Sequence, residues 1–156
     1  MERRIERTGD GDYAVHLPAG ERELLRRLPD ELRTVLEVTP EDPALRRLFP
    51  RTYEDDGDER AYRELMGDEP LEGRRQALAV LAETAEAERL NPEEAQAWLT
   101  ALNDLRLVLG TRLDVTEDSL VGDLPDDDPR TPELALYAYL SWLQEQLIEA
   151  LAAGLA

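Results

Sequence analysis

No cysteine and no lysine occur among the 156 residues, and histidine occurs once, at His16. Each absence removes a chemistry. Without thiols there is no disulfide, no thiolate nucleophile and no thiolate metal site. One imidazole cannot furnish the ligand set of a histidine zinc site within a single chain. His16 could be drawn into a Ser-His-Asp arrangement, but no nucleophile elbow or oxyanion signature accompanies it; it reads as a surface or hairpin-packing residue. No apolar run approaches the roughly 18 residues of a spanning helix. The opening MERRIERTGDGD has no apolar core of a secretory signal, so cytoplasmic residence without a membrane is the expectation. Phosphate-cradling loops are missing too, because Gly9 and Gly11 sit between strands among aspartates that repel phosphate.

Acidic residues outnumber basic ones 36 to 18, for a net charge of −18, and every strong base is arginine. The imbalance is uneven: residues 1–50 hold 9 arginines against 11 acids, whereas residues 101–156 hold 3 against 11. Most of such a surface repels a polyanion, so nucleic acid is an unexpected partner. A DNA-binding regulator requires a contiguous basic helix face in residues 20–51. Arg22, Arg26, Arg27, Arg46, Arg47 and Arg51 lie there, and pairing with the surplus carboxylates is their expected use.

Periodicity predicts a mainly α single domain, a bundle of about five helices with a small N-terminal β-hairpin over residues 1–18. Ile5–Thr8 and Tyr13–Leu17 flank the turn Gly9-Asp10-Gly11-Asp12. Leu24, Leu25, Leu28, Leu32, Val35 and Leu36 recur at helical spacing over 20–38, with a kink or restart expected at Pro29. Further helices are predicted over 43–50, 58–67, 70–87, 92–109 and 132–152. Asn91-Pro92-Glu93-Glu94 is a strong helix start, and Gly110 is the expected stop.

The helix over 92–109 carries the most information. Trp98, Leu102, Leu105 and Leu109 form one apolar stripe, with Leu107 nearly opposite, which places this helix in the middle of the bundle. Asn103, Asp104 and Arg106 interrupt it. Asn103 and Arg106 share a flank, while Asp104 points toward Thr100 and Thr111, roughly 200° from Arg106. Asp104 and Arg106 are therefore expected to pair with different helices. An unpaired buried amide or charge costs several kcal/mol, so these side chains require partners. They read as structural anchors, with a ligand or partner site as the alternative.

Trp142 falls away from the leucine stripe of the last helix, beside Ala135, Ala138 and Gln146. It is expected to pack against another helix, in the same chain or across an interface. The runs Glu54-Asp55-Asp56 and Asp126-Asp127-Asp128, with Asp123, lack the spacing of a calcium loop. No helix shows the Glu-x-x-His pattern of a di-iron bundle.

The blocks PALRRLFP with Tyr53, WLTALNDLRLVLGTRLDVTED, and DDPR followed by LSWLQEQLIEAL together resemble the actinobacterial domain-of-unknown-function family numbered two-thousand-seventeen. The matching central positions are Trp98, Leu99, Leu102, Asn103, Asp104, Arg106, Gly110, Thr111 and Arg112. The resemblance implies a cytoplasmic bacterial protein, often encoded near a Clp protease adaptor, with a loose transcription-regulator label on some members. It implies no catalytic residue. The leading expectation is a non-enzymatic regulatory or protein-interaction module without cofactor or metal, engaging a protein partner or a second copy of itself. The alternatives are a carboxylate-based Mg/Mn-dependent enzyme or small-ligand binder, and a DNA-binding regulator. Trp98, Asn103, Asp104, Arg106, Thr111, Arg112 and Trp142 are the candidate structural or interaction residues.

Overall fold

The computed structural model describes residues 3–39, 41–45, 48, 55, 57–58, 61, 69–113 and 131–153. The protein is mainly helical, with four α-helices among the described residues and a small antiparallel sheet. In chain order the elements are β1 (Ile5–Arg7), β2 (Tyr13–Val15), α1 (Ala19–Val38), a 3-10 turn (Pro43–Leu45), α2 (Glu69–Glu83), β3 (Arg89–Leu90), α3 (Pro92–Leu113) and α4 (Thr131–Ala153). Most of the helix expected over 58–67 lies outside the described residues.

The hairpin forms with Ile5 opposite Val15 and Arg7 opposite Tyr13. Its turn closes through Thr8 N–H to Asp12 O at 2.8 Å, and Gly11 takes φ 91°, a left-handed conformation that a side chain rarely tolerates. The sheet has a third strand that the hairpin reading did not include. Tyr13 pairs with Leu90 and Ala14 with Arg89, so β3 lies against β2. Two residues are too few to show a period, which is why β3 leaves no pattern in the sequence.

Three boundaries differ from expectation. α1 does not restart at Pro29; the helix runs through it, with Pro29 buried beside Leu25, Leu32 and Leu36. Packing of that face outweighs the lost backbone bond. α2 ends at Glu83 rather than at 87. There Thr84 bonds Val80 O through both its backbone N–H and its hydroxyl, and Ala87 N–H turns back to Thr84 O. α3 passes Gly110 and is described as far as Leu113. Gly110 and Thr111 are buried within the helix, so this glycine is not its cap. Of the segment expected as a helix over 43–50, the described part is a 3-10 turn with Ala44, Leu45 and Leu48 buried.

The start of α3 is a capping box. Asn91 Oδ1 accepts the Glu94 N–H at 2.8 Å, and Glu94 Oε1 accepts the Asn91 N–H at 2.9 Å. α3 occupies the middle of the fold, packed against α1, α2, α4 and the 3-10 turn, as its two-sided apolar pattern predicts. Trp98, Ala101 and Leu102 are fully buried along it, next to Leu78 and Leu81 of α2 and Leu143 and Leu147 of α4. No helix among the described residues is long and apolar enough to cross a membrane.

Candidate functional site

Asp104, Asn103 and Thr111 of α3 each meet a different neighbour. Asp104, only 2% exposed, accepts a charged hydrogen bond from Arg74 Nη1 of α2 through Oδ1. Arg74 Nη2 also donates to Leu48 O at 2.9 Å, so one guanidinium ties α2 to α3 and to the stretch beyond the 3-10 turn. Asp104 Oδ2 has no hydrogen-bond partner. Burial therefore holds this carboxyl above its ordinary value of 3.8, against the opposing pull of Arg74.

Asn103 and Arg106 do share a flank. Asn103 Oδ1 accepts from Arg106 Nη2 at 3.2 Å and from Gln144 Nε2 of α4 at 3.3 Å. Asp104 and Arg106 thus serve opposite sides of α3, as the helix geometry requires. The direct partner of Arg106 is on its own helix, however, and the link to α4 runs through the Asn103 amide. Arg106 Nε and Ser141 Oγ remain buried without a partner.

Trp98 is 0% exposed, and its indole N–H donates to Thr84 Oγ1 at 2.6 Å. The Thr84 hydroxyl in turn donates to Val80 O at 2.6 Å, so the turn after α2 satisfies the only polar atom of the largest core side chain. Thr111 donates to Leu107 O, one turn back, at 2.8 Å. Arg112 is exposed in the last turn of α3.

Trp142 is half-buried and lies under the Arg4 guanidinium, 5.4 Å from its ring centre, with the Tyr139 ring 6.0 Å away. Arg4 donates to both Glu21 oxygens, at 3.3 and 3.2 Å, and its backbone N–H donates to Gln146 Oε1 at 3.3 Å. Tyr139 donates to Glu21 Oε1 at 2.8 Å; burial first, and this carboxylate second, raise its phenol pKa above the usual range. Trp142 thus packs within the chain, against the residue before β1 and against the core.

Sequence reasoning assigned one residue wrongly and missed another: Arg22 was expected to pair with a carboxylate. Arg22 donates to four backbone carbonyls, those of Val15, Leu17, Ala85 and Ala87, at 2.7–3.2 Å. It closes the corner where β2, α1 and the end of α2 meet, a use of arginine that no local pattern reveals. Arg74 is the other, 30 residues from its carboxylate partner. Arg26, Arg27 and Arg33 pair with Glu23, Glu31 and Asp30, so α1 presents alternating charge instead of a basic face. Arg46, Arg47 and Arg51 lie outside the described residues. So do Glu54, Asp56, Asp123 and Asp126 to Asp128.

Among the described residues no three His, Asp or Glu side chains come together as a metal site. His16 faces Glu6 at 3.7 Å, both exposed. A shallow polar depression beside it is lined by Arg4, Arg22 and Arg89, whose guanidinium groups are already bonded to Glu21, the four carbonyls and Asp10. A second shallow polar depression on α1 is lined by Asp30, Arg33, Thr34 and Glu37, and a further concavity is apolar. A cleft of about 150 Å³ opens between α1, α3 and α4, walled by Leu28, Leu32, Val35, Leu105, Val108 and Leu136. Among the described residues its charged lining residues are Glu31 and Arg112.

The chain is 33% identical over 148 residues to the putative oxidative stress regulator AosR of Mycobacterium leprae, covering 80% of this chain and 68% of that protein. It is 33% identical over 127 residues to the oxidative stress regulators AosR of Mycobacterium bovis and Mycobacterium tuberculosis, covering 70% of this chain. It spans 58% of the length of the latter two. No solved structure matches it. Residues 2–151 match the family described as a domain of unknown function (DUF2017), and the chain belongs to that family.

Proposed function

We propose that this protein is a non-enzymatic regulator of the bacterial response to oxidative stress that works by contact with another protein. The observation that carries this reading is the 33% identity to proteins named as oxidative stress regulators, over 70–80% of the chain. The geometry supports it. The polar residues of α3 are distributed among Arg74, Gln144 and backbone carbonyls on separate sides of the helix, not gathered around one reacting centre.

Residues 1–156 contain no cysteine. Thiol oxidation, the commonest protein response to peroxide, has no site in this chain. On this reading the oxidant signal reaches the protein by a route other than a thiol of residues 1–156, such as a modified partner or a change in its own abundance. Deleting the gene and comparing transcripts before and after a peroxide pulse tests the role. The expected result is an altered induced set that the intact gene restores. Identical profiles in the deleted and parental strains would overturn it.

A further inference from the structure

We propose that the cleft between α1, α3 and α4 docks a segment of a partner protein carrying one large apolar anchor and, beside it, a carboxylate that pairs with Arg112. Size separates the possible occupants. Pockets for drug-sized molecules run to roughly 300–1,000 Å³, whereas a cavity of about 150 Å³ accepts a benzene-sized group. This cleft, at about 150 Å³, therefore suits a single Leu, Met or Phe side chain. One buried anchor in an apolar pocket, ringed by weaker contacts, is how interfaces concentrate their binding energy. The α1 wall continues past Val35 to Val38, which is 74% exposed.

Charge selects the second feature. Of the two charged lining residues, Glu31 already faces Arg27 at 3.6 Å. Arg112 has no hydrogen-bond or ion-pair partner among the described residues. Acids outnumber bases 36 to 18 in the chain, yet among the described residues no carboxylate pairs with this cleft-lining guanidinium, which makes it the point where a partner's carboxylate would bind. Its place in the last turn of α3 also complements the helix dipole, but that role does not require it to line the cleft. The net charge of −18 repels a strongly acidic partner at long range, so the matching segment carries a local carboxylate on a neutral or basic protein.

The inference rests on the reading of this protein as a regulator acting by contact, and its test is separable from that reading. A library of random short peptides is selected on the intact chain. The expected winners share one large apolar residue at a constant spacing from Asp or Glu. Arg112→Glu weakens them by about fivefold, the effect of an exposed ion pair. Reselection on that variant replaces the acid by Lys or Arg. Val35→Glu abolishes binding; because it could disturb folding, amide shift mapping of a selected peptide on the unaltered chain accompanies it and is expected to mark Val35, Leu109 and Leu136. Absence of a shared pattern, equal binding to Arg112→Glu, or shifts centred elsewhere would overturn the site. If deletion changes the peroxide response but the Arg112→Glu and Val35→Glu chains restore it, the regulator reading stands and the cleft fails. If transcripts are unaffected by deletion while the motif and its charge reversal are found, the converse holds.

Discussion

Asp104 shows how far a single residue can be reasoned from its position. Its place on an otherwise apolar helix requires a partner on another element, and Arg74 of α2 is that partner. Which arginine would answer was not legible, because the pair spans 30 residues and depends on how α2 lies across α3. Removing the carboxylate costs Arg74 a charged hydrogen bond while its bond to Leu48 O remains, so Asp104→Ala is expected to lower the unfolding free energy by about 2 kcal/mol in urea titration. Asp104→Asn, which keeps a hydrogen-bond acceptor, should lose less. The folded state raises the carboxyl's pKa, so it favours the neutral form. Asp104 therefore contributes most below 3.8, and that contribution is lost as pH rises through its elevated folded value. The stability difference between the parent and Asp104→Asn should shift in the parent's favour as pH is lowered from neutrality toward 3.8. A difference that is flat, or that moves the other way, contradicts this.

Among the elements, long periodic helices and their capped start were readable, and their ends and the shortest strand were not. The Asn91 capping box and the stripe through Trp98 and Leu102 are local patterns that tertiary structure has no reason to override. Gly110 and Pro29 mislead for the opposite reason. Each is a helix breaker in isolation, and each is buried in a helix stabilised by its neighbours. Pro29 cannot donate to the Leu25 carbonyl one turn back. Pro29→Ala restores that donor and a better helix former, offset by lost ring packing and a freer unfolded chain. The expected net result is a gain of about 1 kcal/mol, read from the urea midpoint; a loss of stability would show that the buried ring matters more than the bond.

At the scale of the whole molecule, the N-terminal sheet is fastened to the helices by arginines. Arg4 reaches Glu21 of α1 and covers Trp142 of α4, and Arg22 holds the carbonyls where β2 meets the end of α2. With Trp98→Phe, Trp142 is the sole fluorophore of its kind. In that background Arg4→Ala should increase quenching of Trp142 by acrylamide and cost about 1 kcal/mol, from the lost cation–π contact and ion pair. Unchanged quenching would mean that the strand stays docked without Arg4. The sequence by itself determined the helical class, the central place of α3, the family, and the exclusion of thiol chemistry. These follow from composition and from periods read within a few turns of chain. Only the tertiary structure decided which arginine meets Asp104, that Trp142 lies under Arg4, that a third strand completes the sheet, and that Arg112 stands at the mouth of an apolar cleft. Those are contacts between distant segments, and a local pattern can require a partner for a buried polar group without specifying which segment supplies it.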